Sequence, residues 1–342
     1  PLPRTVLLED ATRSILAHNK SPDVGFDVGV NPYRGCSHGC AYCYARPTHE
    51  YLGFSAGLDF ETRILVKSRA PDLLREALSA RKWTPQVIGL SGNTDAYQPA
   101  ERRLRITRRC LEVLAEFRNP VAIVTKSYLV TRDIDLLTEL ARHRAVAVVL
   151  SVTTLRTDVQ RVMEPRASIP ARRLGAIRVL AEAGIPVGVN VAPVVPGLTD
   201  HEMPEILEAA ADAGASFASY IMLRLPHGVK DIFSDWLGQH FPERKAIRSV
   251  RCLALRDPRM EDSSDRNLPG LLPRPAALRE RPQEVGEADV VVGEPVLARE
   301  LETLVVDLLH NERDGAFVHP RVRPQRMHFV TQRLAHVERV DE

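Results

Sequence analysis

The sequence predicts an α/β fold in which a parallel sheet forms an open, partial (β/α)6 barrel. Six short apolar runs, several rich in valine and isoleucine, have the composition of strands buried on both faces. Helical patterns separate most of these runs, and this alternation is typical of parallel sheets with right-handed crossovers. Six units are fewer than the eight that close a barrel, so we expect an open one. The predicted strands are TRILVK (62–67), QVIGLSG (86–92), VAIVTKS (121–127), AVAVVLSVTT (145–154), PVGVNVAPVV (186–195) and SFASYIML (216–223).

Helices are predicted between the strands from apolar periodicity and from residues that begin and end helices. Two of the segments begin with Thr131 and Thr199, and threonine is a favourable N-cap residue. Another begins with Pro170 and stops before Gly184, which is the common order of proline first and glycine last. The predicted helices cover residues 100–118, 131–142, 170–183 and 199–213.

The chain divides by composition into three parts. We expect an N-terminal segment over residues 1–23, the barrel core over 24–240 and a C-terminal extension over 241–342. Within the extension, residues 256–283 contain five prolines and six arginines without a sustained period, which is typical of a linker or of disorder. One further helix is predicted at about residues 295–311 from leucines and valines that share one face.

Composition and charge restrict the class of protein. The formal charge of +2 over 342 residues does not by itself indicate nucleic-acid binding. The arginines within 102–109 could still form a local basic surface, although such a segment is usually a solvated face. No apolar run approaches the length of a membrane span, and no secretory signal is visible. Five cysteines, three of them crowded together, do not resemble a secreted disulfide framework, so we expect a cytoplasmic protein.

The crowded cysteines are Cys36, Cys40 and Cys43, which lie within eight positions. Thiolates at such short spacing on a loop can converge on one metal centre. A structural zinc ion takes four protein ligands, and His38 or His49 would complete a Cys3His zinc site. An iron–sulfur cluster of four irons held by three cysteines would instead leave one iron with an open position. A reactive small molecule binds at such a position.

The stretch NPYRGCSHGCAYCYARPTHEYLG (31–53) resembles the signature loop of the radical S-adenosylmethionine (radical SAM) superfamily. Within the superfamily, the chain is similar to uncharacterised bacterial proteins related to spore photoproduct lyase, a DNA-repair lyase. The resemblance covers roughly residues 11–240. Its further motifs follow in the expected order: LDFETRILVK (58–67), SGNTDAYQPAE (91–101), TKS (125–127), MEPRA (163–167) and VAPVVPGLTD (191–200).

The resemblance implies a radical SAM enzyme with a 4Fe–4S cluster and S-adenosyl-L-methionine as cofactors. Cys36, Cys40 and Cys43 would ligate three irons, and the fourth iron would bind S-adenosylmethionine. Reductive cleavage would then give methionine and a 5′-deoxyadenosyl radical that abstracts hydrogen from a substrate. The electron would come from an external donor of the flavodoxin or ferredoxin type. The substrate stays open, nucleic acid included, and a non-catalytic iron–sulfur electron carrier is a further alternative.

In a barrel of this type, side chains at the carboxyl ends of the strands face the site. Gly92 would permit close backbone approach to the cofactor, and Arg166 suits bidentate capture of a carboxylate. Plainer interpretations are a capped turn at 91–95, a surface ion pair for Arg166 and a core amide for Asn190. The candidate contacts of S-adenosylmethionine are Ser91, Gly92, Asn93, Asp95, Lys126, Ser151, Arg166 and Asn190.

One stretch departs from spore photoproduct lyase. That enzyme carries a cysteine near its second core strand, and this cysteine returns a hydrogen atom to the product radical. The matching stretch, VIGLSGNTD (87–95), contains no cysteine. Reversal of a thymine dimer by the same route is therefore not implied for this chain. Beyond about residue 250 the continuation typical of the family is not recognisable either.

Overall fold

A computed structural model describes residues 4–18, 26–243 and 328–329. Its strands are β1 (Val6–Glu9), β2 (Leu16–His18), β3 (Val28–Val30), β4 (Tyr33–Arg34), β5 (Arg63–Val66), β6 (Ile88–Leu90), β7 (Val121–Thr125), β8 (Val146–Ser151), β9 (Val187–Val194), β10 (Phe217–Met222) and β11 (His328–Phe329). The proline- and arginine-rich tract at 256–283 and the helix expected at about 295–311 lie outside the described residues.

The helices follow the strands along the chain. The α-helices are α1 (Leu58–Thr62), α2 (Ala70–Ser79), α3 (Glu101–Leu104), α4 (Ile106–Glu116), α5 (Ile134–Arg142), α6 (Thr157–Met163), α7 (Pro170–Glu182), α8 (Met203–Asp212) and α9 (Val229–His240). Three 3₁₀ helices are also described: η1 (Arg46–Leu52), η2 (Tyr128–Asp133) and η3 (Asp200–Glu202).

The main sheet confirms the predicted α/β partial barrel. Its strands lie in the order β11-β10-β9-β8-β7-β6-β3-β2. The six neighbouring strands from β10 to β3 run parallel to one another. β11 adds in parallel at one end, and β2 pairs antiparallel with β3 at the other. The two ends of this sheet are different strands, so the sheet is open.

Six of the parallel strands match the predicted number and β11 adds a seventh, but one predicted member was wrong. The run TRILVK forms β5, which lies between β1 and β4 in a separate three-stranded sheet. Its place in the main sheet is taken by β3, whose sequence is VGV. Three residues are too few to show any period, whereas TRILVK satisfies every local criterion for a buried strand. Which sheet a strand joins depends on its pairing partners, which local composition does not reveal.

Three helices begin or break differently from their prediction, and the one expected to begin at Thr199 begins as α8 at Met203 after the 3₁₀ turn η3. The helix expected over 100–118 is divided into α3 and α4 because Arg105 adopts a left-handed conformation with a φ of 54°. The helix expected to begin at Thr131 begins instead at Ile134, after the 3₁₀ turn η2. Ser127 caps that turn, because its side chain accepts a hydrogen bond from the Leu129 N–H. The helix over 170–183 is confirmed as α7.

The two faces of the main sheet differ in how fully other parts of the chain cover them. In β7, Val121, Ile123 and Thr125 are buried, while the residues between them are half-buried. β8 repeats this alternation over most of its length. Helices α5, α7 and α8 pack against β8 and β9. Because side chains alternate between faces along a strand, one face is covered by helices and the other is partly open.

Within the described ranges, no helix combines the length and the apolar character that a membrane span requires.

The partly open face contains glycines on which aromatic rings rest. A Cβ atom added at Gly188 would lie 2.3 Å from the ring of Phe217, which is far inside van der Waals contact. We therefore expect Gly188→Ala to lower the free energy of unfolding by roughly 1–3 kcal/mol, as overpacking does. Urea denaturation of the full chain measures the change. Gly228→Ala is the matched control, because its new Cβ would meet nothing within 4 Å. Equal losses in both variants would contradict this account.

Candidate functional site

The three clustered cysteines lie on one loop that joins β4 to η1, residues 35–45, here called the cysteine loop. The loop is held on two sides by backbone hydrogen bonds. The Cys36 N–H donates to the Phe60 carbonyl at 2.9 Å, and the Ala41 N–H donates to the Met163 carbonyl at 3.0 Å. The first contact ties the loop to α1, and the second ties it to the end of α6. The loop therefore lies where elements from distant parts of the chain meet.

The cysteine thiols are free and shielded from water. Cys36 and Cys40 are buried, and Cys43 is half-buried between the same apolar groups. Burial, with smaller contributions from Asp95 and Cys43, raises the pKa of the Cys36 thiol to about 12. Burial also raises the pKa of Cys40, where Glu164 adds to the rise and Lys126 opposes it. Without a bound cation these thiols stay protonated at neutral pH, so metal uptake here releases protons.

The two histidines considered for a zinc site are each engaged with the protein. The Nδ1 atom of His38 lies 3.4 Å from the Asp95 carboxylate. The Nε2 atom of His49 lies 2.9 Å from the Arg63 carbonyl, while its buried Nδ1 has no hydrogen-bond partner. Among the residues that the structure describes, no three histidine, cysteine, aspartate or glutamate side chains are grouped so as to hold a metal ion. A four-iron cluster differs from such a single-ion site, because it binds each of its cysteines through a different iron atom.

A buried ion pair lies beneath the cysteine loop. The Glu164 carboxylate is paired with the Arg173 guanidinium and accepts a hydrogen bond from the Tyr42 hydroxyl. The Thr153 hydroxyl also donates to it, at 2.7 Å. Burial alone would raise the pKa of Glu164, but the charges of Arg173 and Lys126 and the hydrogen bonds from Arg173 and Tyr42 lower it to about 2. Because Tyr42 lies between Cys40 and Cys43 in the chain, this network positions the second half of the loop.

A second carboxylate, Glu61, bridges two arginines at the outer side of the loop. Its Oε1 lies 2.8 Å from Nη2 of Arg46, and its Oε2 lies 2.6 Å from Nη2 of Arg166. Arg46 also donates to the Cys40 carbonyl at 2.9 and 3.1 Å. Arg166 donates through Nε to the Ser37 carbonyl. We call Arg46, Glu61 and Arg166 the Glu61 bridge.

The turn that follows β6 lies against the cysteine loop. Asn31 accepts a hydrogen bond from the Asn93 N–H at 2.9 Å, and the Tyr44 hydroxyl donates to the Gly92 carbonyl. Ser91 adopts a positive φ of 88°, and its hydroxyl accepts from the Ala96 N–H at 2.8 Å. These contacts use much of the polar capacity of Ser91 and of the Asn93 backbone inside the turn. A Cβ at Gly92 would approach nothing closer than 3.8 Å, so its surroundings are open.

Asp95 at the end of the same turn is fully occupied by protein donors. One carboxylate oxygen accepts from the Tyr97 N–H at 2.8 Å and from the Thr125 hydroxyl at 2.7 Å. The other accepts from the Lys126 N–H at 2.8 Å and faces His38. The carboxylate therefore joins the ends of β6 and β7 to the cysteine loop. This is the arrangement of a capped turn.

Three of the expected contact residues lie on neighbouring strands, two of them at the carboxyl ends of β7 and β8 and the third in the middle of β9. Lys126 directly follows β7, and its ammonium nitrogen lies 5.8 Å from the centre of the Tyr42 ring. Ser151 ends β8 and is in register with Asn190 of β9. By strand alternation all three share the partly open face of the sheet. The amide oxygen of Asn190 is buried and has no hydrogen-bond partner. A buried acceptor without a donor fits a bound ligand that supplies one.

The structure separates available groups from occupied groups among the predicted residues. Ser151 and Asn190 lie on neighbouring strands, and Gly92 and Lys126 border the cysteine loop; all four have groups that can receive a ligand. Asp95 and Arg166 border it too, but their charges are paired within the protein. Sequence analysis missed Glu61, Glu164, Arg46 and Arg173, although the quoted motifs LDFETRILVK and MEPRA contain the first two. The glutamate in each motif was the sequence signal from which Glu61 and Glu164 could have been identified.

Comparisons with known proteins find similar sequences and structures. The sequence model described as the Radical SAM superfamily matches residues 30–210. An uncharacterised protein of Mycobacterium tuberculosis is 38% identical over 232 residues, which cover 66% of this chain and 68% of that one. An uncharacterised protein of Methanocaldococcus jannaschii is 28% identical over 220 residues, covering 64% of this chain and 78% of that one.

Solved structures of spore photoproduct lyase share the fold. A variant with bound AdoMet and dinucleoside spore photoproduct superposes with a TM-score of 0.53 at 18% identity, covering 69% of this chain and 66% of that chain. A second variant gives a TM-score of 0.52 at 21% identity, with the same coverage. The match thus spans just under two thirds of the length of that enzyme. At these identities the likeness shows a common fold.

The buried pair of Glu164 and Arg173 generates a stability prediction. Glu164→Gln would leave the Arg173 charge buried without its partner, so we expect the free energy of unfolding to fall by about 3–5 kcal/mol. Urea denaturation followed by circular dichroism measures the loss. The control is Glu116→Gln, which breaks an exposed pair with Arg75 and is expected to leave the midpoint unchanged. An unchanged midpoint for Glu164→Gln would show that the pair does not stabilise the fold.

Proposed function

Because the chain belongs to the Radical SAM superfamily, we propose that it is a radical SAM enzyme whose Cys36, Cys40 and Cys43 hold a 4Fe–4S cluster. The observation that carries the proposal is the grouping of three free, shielded thiols on one loop at the carboxyl edge of the sheet. When bound and reduced, the cluster supplies the electron that cleaves S-adenosylmethionine to methionine and a 5′-deoxyadenosyl radical, which abstracts hydrogen from substrate. The residues around the loop orient the cofactor and exclude water.

Lys126 supports the proposal through its charge and position. Its ammonium lies beside Tyr42 of the cysteine loop, and it forms no ion pair with a carboxylate of the described residues. A lysine in this state is suited to bind the carboxylate of S-adenosylmethionine. Arg166, which was expected to do so, is already paired with Glu61, so we assign the carboxylate to Lys126.

Asn190 and Ser151 support a site for the adenosine half of the cofactor. The unpartnered amide oxygen of Asn190 would accept a hydrogen bond from a ribose hydroxyl or from the adenine amino group. Ser151 is in register beside it and would contact the ribose. The open surroundings of Gly92 would admit the methionine amino group close to the backbone of the 91–95 turn, next to Ser91 and Asn93. Asp95 would act there by holding the turn.

The electron donor, the location and the substrate class are further parts of the proposal. We propose a donor of the flavodoxin or ferredoxin type and a cytoplasmic location, in keeping with the unbridged cysteines. Nucleic acid stays a proposed substrate class. Part of the basic segment at 102–109 is satisfied internally, because Arg108 pairs with Asp133 and Asp135. Arg102, Arg103, Arg105 and Arg109 of the same segment are exposed.

The proposal predicts cofactor cleavage that depends on the three cysteines. The protein is loaded anaerobically with iron and sulfide, reduced with dithionite and mixed with S-adenosylmethionine. We expect 5′-deoxyadenosine by mass spectrometry from the wild type, and its loss together with the cluster absorbance in Cys36→Ala, Cys40→Ala and Cys43→Ala. A colourless protein that retains zinc would support the zinc alternative. A stable cluster without cleavage would indicate an electron carrier.

The control for these variants is Cys110→Ala. Cys110 is buried on the apolar side of α4 and is remote in the chain from the loop. We expect this variant to keep its cluster, with at most a modest loss of stability. Loss of iron from Cys110→Ala would show that the ligand assignment is wrong.

Lys126 yields a separate prediction for cofactor affinity. Replacing it with alanine removes the cation assigned to the carboxylate, so we expect the Kd for S-adenosylmethionine to rise about tenfold or more, equivalent to about 1.4 kcal/mol. Calorimetric titration of the cluster-loaded protein measures the change. Lys230→Ala, at an exposed position of α9, is the matched control and should bind normally. An unchanged Kd for Lys126→Ala would reject the assignment.

A further inference from the structure

The side chain of Gln98 spans the backbone on both sides of Cys36. Its Nε2 donates to the Gly35 carbonyl at 3.1 Å, and its Oε1 accepts from the Ser37 N–H at 3.0 Å and from the Ser37 hydroxyl at 3.3 Å. Gln98 is fully buried, so these protein groups are its partners in place of water. Turning the amide over would set its NH2 group against the Ser37 N–H and its oxygen against the Gly35 carbonyl. Only the observed orientation satisfies both ends.

These contacts fix the two peptide planes that flank Cys36. In the plane before it, Gln98 holds the carbonyl, and the Cys36 N–H donates to the Phe60 carbonyl at 2.9 Å. In the plane after it, Gln98 holds the N–H, and the Cys36 carbonyl accepts from the Gly39 N–H at 3.3 Å. Because a peptide unit is planar, two fixed planes determine φ and ψ of the residue between them. The direction of the Cα–Cβ bond of Cys36 is thereby set, and only rotation about that bond moves the sulfur.

Gln98 is itself anchored by its backbone. Its N–H donates to the Asp95 carbonyl at 3.2 Å, and its carbonyl accepts from the Glu101 N–H at 2.9 Å. The Asp95 carboxylate accepts from the Lys126 N–H at 2.8 Å, directly after β7. The side chain of Gln98 therefore connects the backbone around Cys36 to the carboxyl end of a strand in the main sheet.

We propose that Gln98 is a positioning residue that sets the direction of the Cys36 side chain before the cluster binds. The inference rests on the proposed function, since it concerns a cysteine assigned to one iron of the cluster. A ligand that is already held in its binding geometry loses less conformational entropy on binding, so it holds its metal more firmly. Gln98 acts through the backbone of Cys36, and loss of its amide loosens that ligand and speeds the release of iron.

Two substitutions remove these contacts in different ways. Gln98→Met has an unbranched side chain of similar length without an amide donor or acceptor. Gln98→Asn retains the amide but is one methylene shorter, so it cannot reach both flanking peptide planes. Should Gln98→Met not fold, Gln98→Asn makes the same test with less change in polarity.

The matched control is Asn119→Leu. Asn119 is another buried amide, and its nitrogen donates to the carbonyls of Gln86 and Pro120 at 3.0 Å each. It lies just before the amino end of β7, whereas the cysteine loop is tied to the carboxyl end of that strand. The control therefore loses a buried hydrogen-bonding amide, and the stability that goes with it, without a change at Cys36.

Amide hydrogen exchange in the full-length, metal-free protein is the first measurement. The partner of the Ser37 N–H is supplied by Gln98 alone among the described hydrogen bonds. We expect this amide to exchange about tenfold faster in Gln98→Met and Gln98→Asn, as the loss of one hydrogen bond allows, and at the wild-type rate in Asn119→Leu. Unchanged exchange in both Gln98 variants overturns the proposal. The measurement needs no cluster, so it decides the positioning role even if the wild type takes up no iron and the proposed function fails.

The second measurement uses the cluster-loaded protein under anaerobic conditions. We expect an iron chelator to remove iron about tenfold faster from both Gln98 variants than from the wild type. The g values of the reduced cluster in electron paramagnetic resonance should shift in the same two variants, because they report the geometry of the cysteine ligands. Asn119→Leu should keep the wild-type rate and g values. Equal iron release from the Gln98 and Asn119 variants would indicate a general loss of stability and overturn the proposal.

Discussion

The orientation of a short, irregular loop is the constraint on which the site depends. The cysteine loop has little regular backbone pairing of its own, so its carbonyls and N–H groups need partners from elsewhere. Two carboxylates, the half-buried Glu61 and the buried Glu164, organise those partners. Glu61 fixes the arginines that bind the Ser37 and Cys40 carbonyls, and Glu164 holds Tyr42 from below. Each carboxylate is paired with arginine, which offsets the cost of its burial.

This arrangement separates polar groups that build the site from those left for a ligand. Asp95, Arg166 and Glu164 are engaged by protein partners and keep the loop and the strand ends together. Lys126 and Asn190 have charge or hydrogen-bonding capacity in reserve. A rigid set of occupied groups around a few available ones is the common design of cofactor sites, because rigid groups hold the available ones in place.

The open sheet determines toward which face the groups available to a ligand are directed. Helices cover one face, and strand alternation directs Lys126, Ser151 and Asn190 to the other face at the carboxyl edge. The cysteine loop reaches the same edge because β4, which directly precedes it, comes just after β3 of the main sheet, and because it is attached to α1 and α6. The shape shared with spore photoproduct lyase reflects this framework, whereas the substrate depends on side chains outside it.

The sequence by itself determined the α/β class, the open parallel sheet and the three clustered cysteines, because composition, periodicity and spacing are local properties. Only the tertiary structure decided that β3 and not TRILVK belongs to the main sheet, since strand pairing is non-local. It also decided which polar residues are free. Arg166 and Lys126 have the same sign of charge in strand-end loops, but Glu61, 105 residues earlier in the chain, occupies only the first of them. Whether a charge is available depends on its spatial neighbours, and those are brought together only by folding.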